Sequence, residues 1–452
     1  MFTLTPTTSR EDVLLFLAKS SSYGNLGLFI GAGFSKAVLN DGTDIALSWG
    51  ELLGKAAQKM GLDYHAMEKV GISYPELAST LCSSYAKTHA LSYVGALQHL
   101  KREIASLTSW YPTPEQRETY SGHLAALRPS WIITTNYDLI IESLLTGKSV
   151  ALGPNDALSS GEGVVPVFHL HGIRTNPDDI IISQEDYVAL FRPNQYRQIK
   201  LALTIKESTT VLVGYGLGDV NVLTAIDWSR NVFRSETENY PNGVIQILRK
   251  ANPETAPYLD KNGITILETA DLKDFFTEAA GVCDLERGRQ KTERDTLEKV
   301  SAELSAAGDA TVKQFIEDPV YRARILTALS KFSVHLSSGF ISLLNKCIDE
   351  TWARSAPNGA FEGYNENLII ILDILIAFPL KSFPPAVFQA AAYGLDRVGY
   401  YVGNESGKSW SAANTWTSRK DSLNAEIVKE LKDVSEQYSY SHLKALLSTI
   451  PS

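Results

Sequence analysis

The segment LGLFIGAGFS, residues 26–35, decides the fold that this sequence predicts. The apolar run Leu26–Ile30 is followed at once by glycine, which indicates a short buried strand that ends in a sharp turn. Small residues at Gly31, Ala32 and Gly33 let the backbone approach a pyrophosphate, whose charge helix-terminal amides then hold. A strand-to-helix turn also needs small residues for packing, and the segment is not a full GxGxxG motif. By itself it indicates a nucleotide site only weakly.

The rest of the first 285 residues continues this alternation of strand and helix patterns. Further short apolar runs indicate buried strands at residues 131–135, 164–170, 209–213, 244–248 and 263–267. Helical periodicity separates them, and residues 49–60 and 74–107 are expected to form a helical insertion that covers the first strand. The alternation predicts an α/β fold with a Rossmann-like, doubly wound parallel sheet and helices on both faces.

The composition changes after Cys283, where a charged stretch with helical periodicity and no strand pattern begins. We place a domain boundary there, between an α/β domain, residues 1–285, and a mostly α-helical domain, residues 286–452. Amphipathic helices are expected in the second domain at residues 320–332, 368–378 and 423–447. The polar stretch 403–420 is expected to be a long loop. Its GNESGKS segment is one residue too short for a phosphate-binding loop and follows no strand.

The composition also limits the class of protein. With 44% hydrophobic and 21% charged residues, the 452-residue chain has the composition of a folded globular protein. Its net charge of -9 argues against direct binding of nucleic acid or of an anionic membrane. The three cysteines lie far apart, so they form no four-thiolate zinc site, and they indicate a reducing compartment. No leader pattern opens the chain and no segment reaches about 20 apolar residues, so we expect a cytoplasmic protein.

The segment IITTNYD, residues 132–138, ends the second predicted strand with hydrogen-bonding side chains. Thr135, Asn136 and Asp138 are candidates for a ligand crevice, because open α/β sheets bind ligands outside the carboxyl ends of their strands. The alternative is a helix cap, since asparagine and aspartate accept amide hydrogen bonds at helix starts.

The segment VFHLHG, residues 167–172, places two histidines at the end of another predicted strand. Two residues apart in an extended chain, His169 and His171 are expected to point the same way. A metal pair needs further donors, for which the sequence offers no nearby cysteine, and we predict no metal site. His171 precedes Gly172, which is expected to leave room for a bound molecule, and it is the better candidate for a general base. His169 is expected to be structural.

The segment VLVGYGLGDVN, residues 211–221, leaves a fourth strand through Gly214 and Gly216 and reaches Asp219 before a helical stretch. A turn with an aspartate helix cap explains this segment equally well when it is taken alone. Four strand ends in sequence order, each with small or hydrogen-bonding residues, are much less easily explained by coincidence. Together they outline a nucleotide crevice.

At these residues the chain resembles sirtuin-like NAD-consuming domains. The ordered motifs GAGFS, TTNYD, LHG and GYGLGD carry the resemblance, which covers about residues 26–267. Two features of protein-deacetylating sirtuins are absent from the sequence: the paired CxxC zinc ribbon and a GIPDFR-like stretch after GAGFS. A tryptophan followed by a helical pattern stands at that place. This arrangement resembles the bacterial branch whose members hydrolyse NAD+ during antiphage defence.

The resemblance implies a role for each motif. Cofactor contacts would come from two groups of residues. The first group would contact the diphosphate and its adjoining ribose: Gly31, Ala32, Gly33 and Ser35. The second group would form the rest of the NAD+ site: Thr135, Asp138, Gly214, Gly216 and Asp219. Of these, Gly214, Gly216 and Asp219 would lie near the adenosine. Asn136 and His171 would face the nicotinamide ribose as the catalytic pair. NAD+ is then the substrate, no further cofactor is required, and the products are ADP-ribose and nicotinamide. The biological outcome would be NAD+ depletion in abortive infection.

Two other functions remain open at this point. One is NAD-dependent deacylation or ADP-ribosylation, in which an acceptor replaces water, and the other is a nucleotide sensor without catalysis. Because uncontrolled NAD+ hydrolysis would kill the host, the helical domain is expected to regulate activity through homo-oligomerisation or a partner. The resemblance suggests a hexameric translocase ATPase or a phage protein as that partner. A packed helical domain without any partner is the plainer alternative.

Overall fold

The structure, a computed structural model, describes most of the 452-residue chain. The described residues are 5, 7–39, 45–68, 71–157, 163–190, 196–216, 220–231, 242–355 and 361–450. They divide into two compact units, residues 1–288 and 289–452. The boundary that we place at residue 285 falls within one long helix, Leu272–Ser305, because the helical periodicity begins before the composition changes.

The first unit contains one mixed sheet. Its strands within the described residues are β1 (Leu26–Ile30), β2 (Trp131–Thr134), β3 (Ser149–Leu152), β4 (Val165–His169), β5 (Thr209–Val213), β6 (Gly243–Arg249), β7 (Tyr258–Leu259) and β8 (Thr265–Thr269). The strand order is β3-β4-β2-β1-β5-β6-β8-β7, and only the pairing of β7 with β8 is antiparallel. Six strands lie where apolar runs predict them. No strand is predicted at β3 or β7, because β3 keeps its side chains partly exposed and β7 has two residues.

Helices cover both faces of this sheet, which confirms the doubly wound fold. The helices of the first unit are α1 (Arg10–Tyr23), α2 (Ala32–Leu39), α3 (Trp49–Lys59), α4 (Tyr64–Met67), α5 (Tyr74–His89), α6 (Tyr93–Leu107), α7 (Pro114–Leu127), α8 (Ile140–Leu144), α9 (Gln184–Leu190), α10 (Tyr196–Glu207), α11 (Val220–Asn231) and α12 (Leu272–Ser305), and a short 3-10 turn spans Pro177–Asp179. Leu28 and Ile30 of β1 pack toward α1, α7 and the start of α12. Phe29 points the other way, toward α10 and α11, as the two-residue period of a strand requires.

The helical insertion lies elsewhere than predicted. Helices α3, α5 and α6 share a core with Tyr137, Ile180 and Ile182, and within the described chain that core holds no residue of β1. They therefore cover the loops beyond the carboxyl ends of β2 and β4 instead of the first strand. Amphipathic periodicity shows which face of a helix is buried but does not show what the face packs against.

Over its described residues the second unit is mostly helical, with one isolated β-bridge between Val402 and Ser409. Its helices after α12 are α13 (Asp309–Glu317), α14 (Pro319–Lys331), α15 (Ser333–Ser355), α16 (Glu362–Ala377), α17 (Pro385–Gly399), α18 (Trp410–Arg419), α19 (Ala425–Gln437) and α20 (Ser441–Leu447), with 3-10 turns at Leu380–Ser382 and Lys420–Ser422. They surround one apolar core. Over the described positions, no helix is both long enough and apolar enough to cross a membrane.

Two predictions about the second unit are wrong. The expected loop at 403–420 contains helix α18, which Ser409 caps through its side-chain oxygen and which buries Ala412 and Trp416 on one face. Two buried apolar residues are enough to pack this helix, because Ala412 and Trp416 are four residues apart and therefore lie on the same face. The expected single helix at 423–447 is two helices, since Ser439 adopts a left-handed backbone angle, φ 60°, that no helix interior accommodates.

Candidate functional site

Four strand ends line one cavity at the carboxyl edge of the sheet. Its volume is about 310 Å³, within the range typical of small-molecule sites. The chain runs outward from β1 to β2 in one direction and to β5 in the other, so the cavity lies at the point where the strand order reverses. Of the residues predicted for the site, those that line the cavity are Ala32, Thr135, Asn136, Asp138, His171, Gly214 and Gly216. A larger cavity, of about 860 Å³, contains none of the predicted residues.

The glycines after β1 and β5 allow two turns to pack together. A side-chain carbon on Gly31 would lie 2.6 Å from the Gly214 carbonyl oxygen, and one on Gly33 would lie 2.8 Å from the Gly214 Cα. The Gly33 amide donates to the Gly214 carbonyl oxygen at 2.9 Å, and the Gly31 amide donates to Val213 at 3.0 Å. The close approach of these turns is therefore reason enough for small residues. Contact of Gly31 and Gly33 with a diphosphate stays a prediction.

Asn136 is held on three sides in the loop after β2. Its amide donates to the Thr134 hydroxyl at 3.0 Å, and its carbonyl oxygen faces Nδ1 of His169 at 2.9 Å. Its side-chain Nδ2 donates to Ser35 Oγ at 3.0 Å. The remaining polar atom, Oδ1, has no hydrogen-bond partner among the described residues. Asn136 therefore keeps an acceptor for a bound molecule while the rest of the residue is fixed.

Ser35 links Asn136 to a buried carboxylate. Its hydroxyl accepts from Asn136 and donates to Asp138 Oδ2 at 2.9 Å, so the group that Asn136 turns toward Ser35 must be its NH2. Ser35 lies behind the cavity wall instead of lining it. Burial raises the pKa of Asp138 to about 6, although hydrogen bonds from the Ile140 amide and Ser35 favour the charged form. Contact of Ser35 with the diphosphate or ribose stays a prediction.

His171 lines the cavity just beyond β4 and is 3% exposed. The Tyr187 hydroxyl of α9 lies 3.3 Å from its Nδ1 and 3.2 Å from its Nε2, so this hydroxyl can bond only one nitrogen at a time. The sequence predicts that Gly172 leaves room for a ligand, and this prediction is wrong. The backbone of Gly172 is left-handed, φ 92°, and an added side-chain carbon would lie 2.6 Å from the Asp179 carbonyl oxygen. Protein backbone fills that space.

An aromatic wall, made of Trp49, Tyr74 and Trp110, completes the cavity. Trp49 is the first residue of α3, where Ser48 and Glu51 form a capping box. Lys36 of α2 binds Glu51 at 2.8 Å, and this hydrogen bond lowers the pKa of Glu51 to about 2. The Trp49 ring lies 5.4 Å from that of Tyr74, and its buried Nε1 has no hydrogen-bond partner within the described part of the chain. The sequence alone did not assign these aromatic residues to the site. The Ser-x-x-Glu spacing of Ser48 and Glu51 does, however, indicate that a helix starts at Trp49.

His169 and His171 have different surroundings, contrary to the expectation that they point the same way. His169 is fully buried, with Nδ1 at the Asn136 carbonyl and Nε2 2.7 Å from Glu142 Oε1. The strand ends at His169, so the alternation of an extended chain no longer applies two residues later. Burial opposes protonation of His169, but the hydrogen bond and charge of Glu142 outweigh it, and its pKa is raised. Asp219, the remaining predicted residue, lies outside the described residues.

Comparison with known proteins agrees with this arrangement. Residues 130–267 match the SIR2-like domain family. The chain is also similar to "Defense-associated sirtuin 2" of Bacillus subtilis, with 22% identity over 309 residues, or 66% of this chain. That alignment covers 27% of the relative, so most of the relative's length lies outside it.

The segment that matches the SIR2-like domain contains the ends of β2, β4 and β5. Asn136, His171, Gly214 and Gly216 therefore lie inside the match, whereas the turn after β1 precedes it. The matched segment also contains His169, whose Nδ1 faces the Asn136 carbonyl oxygen, and Glu142, which faces Nε2 of His169. The aromatic wall comes from residues outside the match, on and beside the helical insertion.

Proposed function

We propose that this protein hydrolyses NAD+ to ADP-ribose and nicotinamide. The single observation that carries the proposal is the shared cavity of Asn136 and His171, at the carboxyl edge of the parallel sheet in a SIR2-like domain. An acceptor oxygen and an imidazole that line the same cavity suit a reaction at a ribose carbon. A cavity that served only for binding would not need a base.

The chemistry requires little acid catalysis. The bond between C1′ of the ribose and the pyridinium nitrogen breaks, its electron pair passes to that nitrogen, and nicotinamide leaves as a neutral molecule. Water adds to C1′ and gives its proton to His171. In this proposal Asn136 Oδ1 orients the water or the ribose hydroxyls, because Ser35 and the loop hydrogen bonds fix the rest of Asn136.

Water is the proposed acceptor because the sequence contains three cysteines and no CxxC pair, so the zinc ribbon of protein deacylases cannot be built. The aromatic wall supports the proposal, since Trp49 and Tyr74 line the cavity and aromatic rings attract a flat cationic ring such as the pyridinium of NAD+. We further propose that the reaction depletes NAD+ in antiphage defence, as the name of the relative suggests. Oligomerisation through the helical unit and control by an ATPase or a phage protein stay predictions.

The test is chromatography of NAD+ incubated with the purified chain and no acceptor. We expect ADP-ribose and nicotinamide from the wild type, and losses of about 10²- to 10⁴-fold in turnover for Asn136→Ala and for His171→Ala. His65→Ala is the control, because the side chain of His65 is 90% exposed. Full turnover by both site variants would overturn the residue assignment. NAD+ loss that appears only after an acceptor is added would favour a transferase.

A further inference from the structure

The sequence assigns His169 to the core, yet both of its ring nitrogens have polar partners beside the proposed reaction site. Nδ1 lies 2.9 Å from the carbonyl oxygen of Asn136, and Nε2 lies 2.7 Å from Glu142 Oε1. The side chain is fully buried, and buried polar groups are nearly always hydrogen-bonded, so the identity of the partners matters more than their presence. Here the carbonyl belongs to the residue that faces the substrate cavity.

Three elements meet at this imidazole. His169 ends β4 and lies in register with Thr134 of the neighbouring β2. Glu142 belongs to α8, and Asp138 accepts the amide of Ile140 at the start of that helix. The ring therefore spans from α8 to the loop after β2, and the charged groups that face it are Asp138 and Glu142.

The hydrogen-bond chemistry assigns the protons. A carbonyl oxygen only accepts, so Nδ1 of His169 must donate to Asn136. Nε2 faces a carboxylate whose other oxygen, Oε2, is buried without a hydrogen-bond partner among the described residues. A charged imidazole that donates at both nitrogens satisfies Asn136 and Glu142 together.

We propose that His169, anchored by Glu142, is a positioning residue that holds the main chain of Asn136 and thereby aims the Asn136 carboxamide into the cavity. The inference rests on the proposed NAD+ hydrolysis. Thr134 already fixes the backbone amide of Asn136, and Ser35 fixes its side-chain Nδ2. The hydrogen bond from His169 to the Asn136 carbonyl oxygen is a third attachment, which prevents the peptide group from rotating. His169 touches no reacting atom in this scheme.

Two substitutions separate the two ring contacts. His169→Asn keeps a donor near the position of Nδ1 and abandons Glu142. His169→Gln keeps the reach to Glu142 and abandons the Asn136 carbonyl. We expect the glutamine variant to lose about 100-fold in kcat with KM within about threefold of wild type, because a misplacement of about 1 Å costs that much. The asparagine variant should stay within about tenfold of wild type in kcat. The melting temperatures of both variants, measured by thermal unfolding, serve as the control for a general loss of stability.

A purely structural histidine predicts a different outcome. It would lower the melting temperature in both variants and leave their kcat values alike, or would make the smaller asparagine the worse of the two. Either result would overturn the proposal.

An independent measurement uses the wild-type chain with ¹⁵N-labelled histidine, read by NMR. The resonance lost in His169→Asn identifies His169, and its Nδ1 should stay protonated from about pH 6 to about pH 9, since the Asn136 carbonyl cannot supply a proton. An unprotonated Nδ1 would refute the hydrogen bond on which the proposal stands, whether or not the protein hydrolyses NAD+. If Nδ1 is protonated but no NAD+ is consumed, the proposed function fails while the hydrogen bond is confirmed.

Discussion

Two buried charges, one in each unit of this protein, have different surroundings: Arg322 in the helical unit and Asp138 in the α/β unit. In the helical unit Arg322 is 3% exposed and shares the Asp373 carboxylate with Arg419. Its Nε donates to Asp373 at 2.6 Å, and its Nη1 donates to the Phe315 and Ile316 carbonyls at 2.6 and 2.9 Å. Those carbonyls belong to the last turn of α13, where intrahelical partners run out. The guanidinium thus caps one helix while it pairs with another.

Asp138, in the α/β unit, is a buried charge that burial disfavours. Asp138 is 4% exposed, and burial raises its pKa to about 6 from an ordinary 3.8, so its ionised form is disfavoured despite two hydrogen bonds. It lies on the cavity wall, and the link through Ser35 fixes Asn136. A buried charge that the fold does not stabilise, in a cleft, is characteristic of functional sites.

The contrast teaches how to tell a structural charge from a functional one. Arg322 directs Nε and Nη1 at protein acceptors, whereas Asn136, which Ser35 links to Asp138, keeps Oδ1 without a hydrogen-bond partner among the described residues. Removal of the structural charge should therefore cost stability. Removal of the functional charge should increase stability and lower activity.

Arg322→Leu is expected to show the largest effect. The variant leaves two helix carbonyls and part of Asp373 without partners, and we expect a loss of about 3–5 kcal/mol in the free energy of unfolding, measured by urea titration. Arg324→Leu on the same helix is the control. Arg324 is 40% exposed and paired with Glu303, so its loss should cost less than about 1 kcal/mol. Equal losses in the free energy of unfolding for the two variants would contradict the idea that the buried Arg322 pair stabilises the protein more than the exposed Arg324 pair.

Asp138→Asn should act in the opposite direction. The folded state binds the Asp138 proton more tightly than the unfolded state, so wild-type stability falls as the pH rises from 3.8 to about 6 and stays low above that pH. That rise in pKa corresponds to about 3 kcal/mol at most. Because Ser35 also loses its carboxylate acceptor, we expect a net gain of about 1–2 kcal/mol at pH 8 and none at pH 4.

The same variant should lose about tenfold in kcat, since the carboxylate no longer orients Ser35 toward Asn136. Urea titrations at pH 4 and pH 8 together with NAD+ turnover check both parts. A stability loss of the same size at both pH values would show that Asp138 is a structural group like Arg322.

The smallest effect is expected at Trp49. Trp49→Leu removes an aromatic face from the cavity, and we expect KM for NAD+ to rise about fivefold, with the melting temperature little changed. Trp416→Leu is the matched control in the helical unit, where Nε1 donates to Thr449 at 2.9 Å. It should lower the melting temperature and leave KM unchanged. If Trp49→Leu destabilises the protein as much as Trp416→Leu does, Trp49 is a core residue and not part of the site.

Much of the architecture could be predicted from local pattern. The buried strands β1, β2, β4, β5, β6 and β8 are compact apolar runs, and a parallel sheet between helices follows from their alternation. The edge strand β3 and helix α18 were not predictable in this way, because β3 lacks a continuous apolar run and α18 has few buried residues. Length and polarity mislead wherever tertiary packing decides the structure.

The candidate site, like the fold, could be predicted from local sequence pattern only in part. The sequence by itself determined which strand ends bring polar side chains to the cavity, since Asn136, Asp138 and His171 follow apolar runs and line it together. Only the tertiary structure decided that Gly31 and Gly33 pack against Gly214, that Gly172 admits backbone, and that His169 reaches Asn136. The physical reason is range. Strand and turn patterns depend on neighbours a few residues away, whereas these contacts join segments that are distant along the chain and meet only when the sheet is assembled.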